Sequence, residues 1–126
     1  ASDSYSKAAF AAYVLGDFEL AVENQRKAVK YNGDATNLFY LAKYQARNQQ
    51  IESCIQNLEL AIDKNPSMAL AVFRELDLAN ESEVLKLIER KNEMINKKIL
   101  MNQTILKTKS AVAVLNPTIV RFLKRK

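Results

Sequence analysis

One stretch of this chain is written twice. Residues 9 to 33 read AFAAYVLGDFELAVENQRKAVKYNG, and residues 42 to 66 read AKYQARNQQIESCIQNLELAIDKNP. At an offset of 33, Ala9 falls on Ala42, Phe18 on Ile51, Ala21 on Cys54 and Val22 on Ile55. Ala28 then falls on Ala61, Val29 on Ile62 and Gly33 on Pro66. A fixed period of this size marks stacked supersecondary units, and periods near 34 point to helix–turn–helix repeats. The small residues recur where two helices must approach closely, and larger apolar residues recur beside them at helical spacing.

The spacing of helix breakers agrees. Two glycines and two prolines in 126 residues leave room for long helices and short joints, not for many strands and turns. A chain of this length is one domain that buries roughly two thirds of its unfolded surface. Ser2, Asp3 or Ser4 is expected to cap a first helix running to about Leu15. Gly16 breaks it and Asp17 caps the second, which stops at Asn32-Gly33 as an αL-tolerant signal. Asp34 or Thr36 caps the third, and Asn48-Gln49-Gln50 joins it to a fourth that Pro66 closes. Short joints force each pair antiparallel. A fifth helix is expected from Met68 to about Leu76, capped by Ser67. Asn80-Glu81-Ser82-Glu83 then reads as a capping box opening a sixth, which meets no Gly or Pro up to about Lys109.

Leu15-Gly16-Asp17-Phe18, followed by Ala21, Ala28 and Gly33, resembles the second half of a tetratricopeptide repeat. Tyr5, Ala8 and Ala9 match its early aromatic and small pair. Leu38, Leu41, Ala42, Cys54, Leu58, Ala61 and Pro66 take the same roles in the second unit. The resemblance covers roughly the first 66 residues, with an eroded third copy from Met68. Gln25 and Gln45 depart from the apolar or aromatic residues usual there, and Gln49 replaces the turn glycine. The resemblance implies an all-α, solenoid-like stack of antiparallel helix pairs. Repeats would span 2–34 and 35–67, with a degenerate copy over 68–79, a long capping or coiled-coil-like helix over 80–109 and a basic segment over 110–126. It also implies a concave groove lined by the first helix of each pair. Ser6, Phe10, Tyr13 and Val14 would face it, then Phe39, Lys43 and Arg47, then Phe73 and Arg74. Such a groove suits an extended or helical peptide with apolar anchors and an acid. Family members that grip C-terminal carboxylates carry Lys, Asn and Arg at positions held here by Ser6, Phe10, Tyr40, Leu70 and Arg74. Only Arg74 fits that clamp.

The long sixth helix has a pattern of its own. Leu85, Ile88, Asn92, Ile95, Ile99, Asn102 and Leu106 step by three and four, a heptad seam with polar members at Asn92 and Asn102. Val84 and Leu87 widen its start, so residues 81 to 95 are expected to pack on the fifth helix. Ile95, Ile99, Asn102 and Leu106 are left for a contact between chains, expected to be antiparallel because the Glu-bearing half would then approach the lysines. The alternative is a fold-back of residues 110–126, where Asn116-Pro117 could open a short helix.

Charge is unevenly spread. Residues 1–80 hold 8 Lys/Arg and 10 Asp/Glu, a balance of −2; residues 81–126 hold 11 and 4, a balance of +7. The basic segment therefore admits nucleic acid or an anionic membrane as an alternative partner. No apolar run approaches the roughly 18 residues of a membrane helix. The chain begins Ala-Ser-Asp and ends in charge, as expected of a piece of a longer protein, and nothing in it argues against a cytoplasmic location.

Reactive groups are few. There is no histidine, and Cys54 sits where the repeat wants a small packing residue. No Cys/His cluster or glycine-rich phosphate loop occurs. Glu19 and Glu23, and likewise Glu52 and Glu59, read as solvated helix-surface acids. The expectation is a non-enzymatic scaffold without cofactor or metal, working through protein or peptide recognition.

Overall fold

The structure, a computed structural model, describes residues 1–115, with side-chain surroundings given through Lys109. The described residues are all-α. In order they form α1 (Ser2–Val14), α2 (Phe18–Tyr31), α3 (Ala35–Arg47) and α4 (Ile51–Lys64). After these come α5 (Met68–Ala71), a 3₁₀ turn (Val72–Arg74), α6 (Leu76–Ala79) and α7 (Ser82–Leu115). The chain divides into two units, residues 1–88 and 89–126. The second, as far as it is described, is the remainder of α7.

In the first unit, α1 and α2 run antiparallel. The Tyr5 ring stacks on Tyr31 with centroids 5.8 Å apart, and Tyr13 meets Phe18 at 5.9 Å, so the start of one helix lies beside the end of the other. Helix α3 follows α1 in direction: Ser6 Oγ lies 3.3 Å from Asn37 Oδ1 near both N-termini, and the Tyr13 and Tyr44 rings meet further along.

The 33-residue offset recurs in the backbone. Gly16 has φ 82° and Gln49 has φ 63°. The Asp17 amide donates to Ala12 O, and the Gln50 amide to Gln45 O, both at 2.9 Å. The second helix of each pair ends on an asparagine of nearly the same geometry, Asn32 at φ −147°, ψ 97° and Asn65 at φ −146°, ψ 99°. Ala9 and Ala42, Ala21 and Cys54, and Ala28 and Ala61 are all fully buried. One cluster gathers Ala9, Ala12, Ala21, Val22, Leu41 and Tyr44; another runs from Leu38 and Phe39 through Leu58 and Val72 to Val84 and Ile88. Gln25 and Gln45, the departures from the repeat, are buried but paired. Gln25 Nε2 donates to Asn37 O at 3.0 Å, and Gln45 Oε1 accepts from Asn57 Nδ2 at 2.8 Å.

Several expectations need correction. No side chain caps α1; Ser2 lies inside the helix and its hydroxyl donates to Ala28 O on α2. Helix α2 stops on extended Asn32, not in αL, and φ of Gly33 is not positive. The offset agrees, since Pro66 fits the same position only at negative φ. The expected fifth helix is broken into α5, the 3₁₀ turn and α6, and Ser67 does not cap it. Val72 and Phe73 are weak helix formers. Glu75 leaves the helix for extended backbone (φ −114°, ψ 102°), where its carboxylate reaches Lys43. Asn80 closes α6 instead of capping α7. Helix α7 is described over 34 residues, Ser82–Leu115, past the expected end near Lys109 and through Ala111–Leu115. Its buried stripe is Val84, Leu87 and Ile88; Leu85 and Ile95 are exposed, so the packed stretch is shorter than 81–95. The proposed Asn116-Pro117 cap and the fold-back lie outside the described residues.

Candidate functional site

Two hollows of the first unit hold Phe10, Tyr13, Lys43, Arg47 and Arg74 from among the sequence-expected groove residues. The first, of about 530 Å³, runs between α1 and α3. Its walls come from equivalent positions of the two repeats: Asp3 and Thr36, Lys7 and Tyr40, Phe10 and Lys43. Each pair is 33 residues apart, and each triplet follows the i, i+4, i+7 spacing of one helix face. Phe10 is 56% exposed and Tyr40 36%, so both present aromatic surface to solvent. Ser6 and Asn37 add polar groups between them.

The second hollow, of about 510 Å³, is lined by Tyr13, Arg47, Arg74, Leu76, Asp77 and Glu81 among others. At its base is a charge cluster. Lys43 Nζ lies 2.6 Å from Glu75 Oε2 and 3.8 Å from Asp77 Oδ2, and Arg47 lies 3.4 Å from Asp77 Oδ1. The Tyr13 hydroxyl donates to Asp77 Oδ2. Lys43 Nζ also stands 4.7 Å from the Tyr13 ring centre, and the Arg47 guanidinium 4.6 Å from that of Phe18. Two cations and two carboxylates balance in this cluster.

Burial raises the pKa of Tyr13, reinforced by its bond to Asp77. Burial pulls Lys43 down, but its hydrogen bond to Glu75 and the surrounding charges outweigh that and leave it above the usual lysine value. Neither group is a base near neutral pH, so the cluster is suited to holding α1, α3 and the 75–77 segment together. Burial also pushes the Cys54 thiol up to about 12, with the Glu81 charge adding to the rise, which makes it a poor nucleophile.

Two expectations about the groove change. Phe39 is a core residue, 4% exposed and packed with Leu38 and Leu58, because α3 turns Tyr40 outward in its place. Lys43 is not free to meet a partner's acid, since it is mostly buried and held by Glu75, and Arg47, though half exposed, already contacts Asp77. Phe10 and Lys43 line the first hollow, while Tyr13, Arg47 and Arg74 line the second. Val14 and Phe73 are exposed and line neither.

Sequence reasoning missed Lys7 and Tyr40 as a groove pair, although the offset that aligned the alanines also aligns them. Glu75 and Asp77 carried no sequence signal, since their role depends on a chain break. In the second unit, Ile95, Ile99 and Leu106 are exposed on α7, as is Asn102. Among the described residues no group of His, Cys, Asp or Glu could hold a metal ion, and no helix is long and apolar enough to cross a membrane. Comparison with known proteins found no matching family model, no similar curated protein and no similar solved structure.

Proposed function

We propose that the chain is a non-enzymatic interaction module whose groove between α1 and α3 takes an extended or helical peptide, as in the tetratricopeptide repeats it resembles. The observation that carries this reading is the pair of exposed aromatics, Phe10 and Tyr40, in one concave surface built from equivalent positions of two repeats. Aromatic anchors in a pocket supply most of the affinity of such contacts. The acid once expected of the partner drops out, because Lys43 is already paired. Apolar or aromatic side chains fit the lining best, since Ser6 and Asn37 already bond within the chain.

Selection from a displayed peptide library on the intact chain tests the reading. Selected peptides should bind, and Phe10→Ala or Tyr40→Ala should each weaken binding by about tenfold or more, the usual effect of removing an anchor. Both side chains are exposed enough for the circular dichroism to stay unchanged. Failure of the library to enrich any sequence, or enriched peptides indifferent to both substitutions, would place recognition elsewhere.

A further inference from the structure

Among the described residues of the second unit, α7 carries a wide exposed apolar face. On α7, Ile95, Ile99 and Leu106 form one exposed stripe and Met94, Met101 and Ile105 another. At 100° per residue the stripes are centred about 120° apart, with Lys98 and Lys109 between them. Each of the six is about half exposed, so together they show on the order of several hundred Å², the size at which an exposed apolar patch is often functional.

Charge selects the occupant. After Glu93 the sequence has no acid, whereas Lys97, Lys98, Lys107 and Lys109 are exposed on the helix. Arg121, Lys124, Arg125 and Lys126 follow in the sequence. Residues 89–93 offer no counter-charge, since Glu89 and Glu93 are balanced by Arg90 and Lys91. A second copy of this helix, or the chain's own last residues, would therefore bring like charge to the face. The symmetric antiparallel register has a further obstacle. Setting Ile95 against the second copy's Ile99, and Asn92 against its Asn102, also sets Leu106 against Ile88, which is buried in the first unit. A lipid surface fits poorly as well, because Lys98 and Lys109 would lie at the deepest point of the apolar arc and not at its rim. Nucleic acid would leave the Ile, Met and Leu side chains in water.

We infer that the α7 face of residues 94–109 docks an amphipathic helix of another protein, with apolar side chains against Ile95, Ile99 and Leu106 and carboxylates against Lys98 and Lys109. Helix-in-groove recognition supplies the apolar contact, and opposite charge sets the choice of partner. The groove between α1 and α3 takes no part in it.

The probe is a synthetic heptad peptide with Leu at its seam and Glu at the flanking positions, titrated against the full chain and compared with a twin carrying Lys at those positions. The Glu peptide should bind at micromolar concentration and at least about tenfold more tightly than the Lys twin. Ile95→Asp/Ile99→Asp and Lys98→Glu/Lys109→Glu should each weaken it by about tenfold or more, while Tyr40→Ala leaves it unchanged. These positions are solvent-exposed, so the variants fold as the wild type does, checked by melting. Four results would overturn the inference. They are equal binding of the two peptides, no binding of the Glu peptide up to about 100 μM, an Ile99-dependent dimer of the chain alone in sedimentation, and tighter binding to phosphatidylserine vesicles than to the peptide.

Discussion

Gln49 stands where the first repeat has Gly16, and both backbones turn through positive φ, at 63° and 82°. A residue with a Cβ resists that region by about 1 kcal/mol relative to glycine. The next position differs too. Asp17 accepts a hydrogen bond from the Leu20 amide and caps α2, whereas Gln50 caps nothing and its side chain accepts from Asn48. Gln49→Gly and Gln50→Asp should therefore stabilise the chain, each by about 0.5–1 kcal/mol, read as a higher melting temperature. A fall with either substitution would show that the two joints are not equivalent. Close packing sets the opposite sign elsewhere. Ala21 and Ala28 are fully buried, so Ala21→Leu or Ala28→Leu should destabilise by about 1–3 kcal/mol in denaturant titration. These positions were legible in the sequence because caps, breakers and small residues act through their immediate neighbours. The α1 cap was not, since the Ser2 hydroxyl is drawn to Ala28, 26 residues away.

Among the elements, the third helix pair departs furthest from its sequence pattern. Local composition suggested one helix from Met68 to Leu76, but Glu75 leaves the helical region to meet Lys43, 32 residues earlier. A window of neighbouring residues contains no trace of that pairing. Asp77→Asn should cost about 1–3 kcal/mol, because Arg47 loses its carboxylate and Lys43 keeps only Glu75. Titration gives the elements a shared weakness at high pH. Tyr13, Lys43, Tyr44 and Cys54 all have folded pKa values above their unfolded ones. A raised pKa means that the folded state holds its proton more tightly. That contribution is complete below the unfolded pKa and is lost as pH rises toward the folded one. For Cys54 the window runs from 9.0 to about 12, and the tyrosines and Lys43 add to the loss above their ordinary values of 10.0 and 10.5. Stability by urea titration should hold from neutral pH to about 8 and then fall, and Cys54→Ala should flatten the first part of the fall. A midpoint rising above pH 9.0 would contradict these shifts.

For the whole molecule, the period of the sequence and the architecture of residues 1–66 coincide, but the groove was only half legible. Phe10 is exposed at the hollow between α1 and α3, and Tyr40 was passed over for the buried Phe39 because the two adjacent aromatics differ only in helical phase. Lys43 and Arg47 looked like free cations because their carboxylates come from a segment expected to be helical. Under the proposed function the groove recognises apolar surface, and Lys43 in its lining is already paired with Glu75. The titration of a selected groove peptide at increasing salt tests this most directly. Affinity should stay within about twofold between roughly 0.05 and 0.5 M salt, since apolar contacts are not screened. A loss of about tenfold or more over the same range would mean that charge carries the recognition, and would contradict the account.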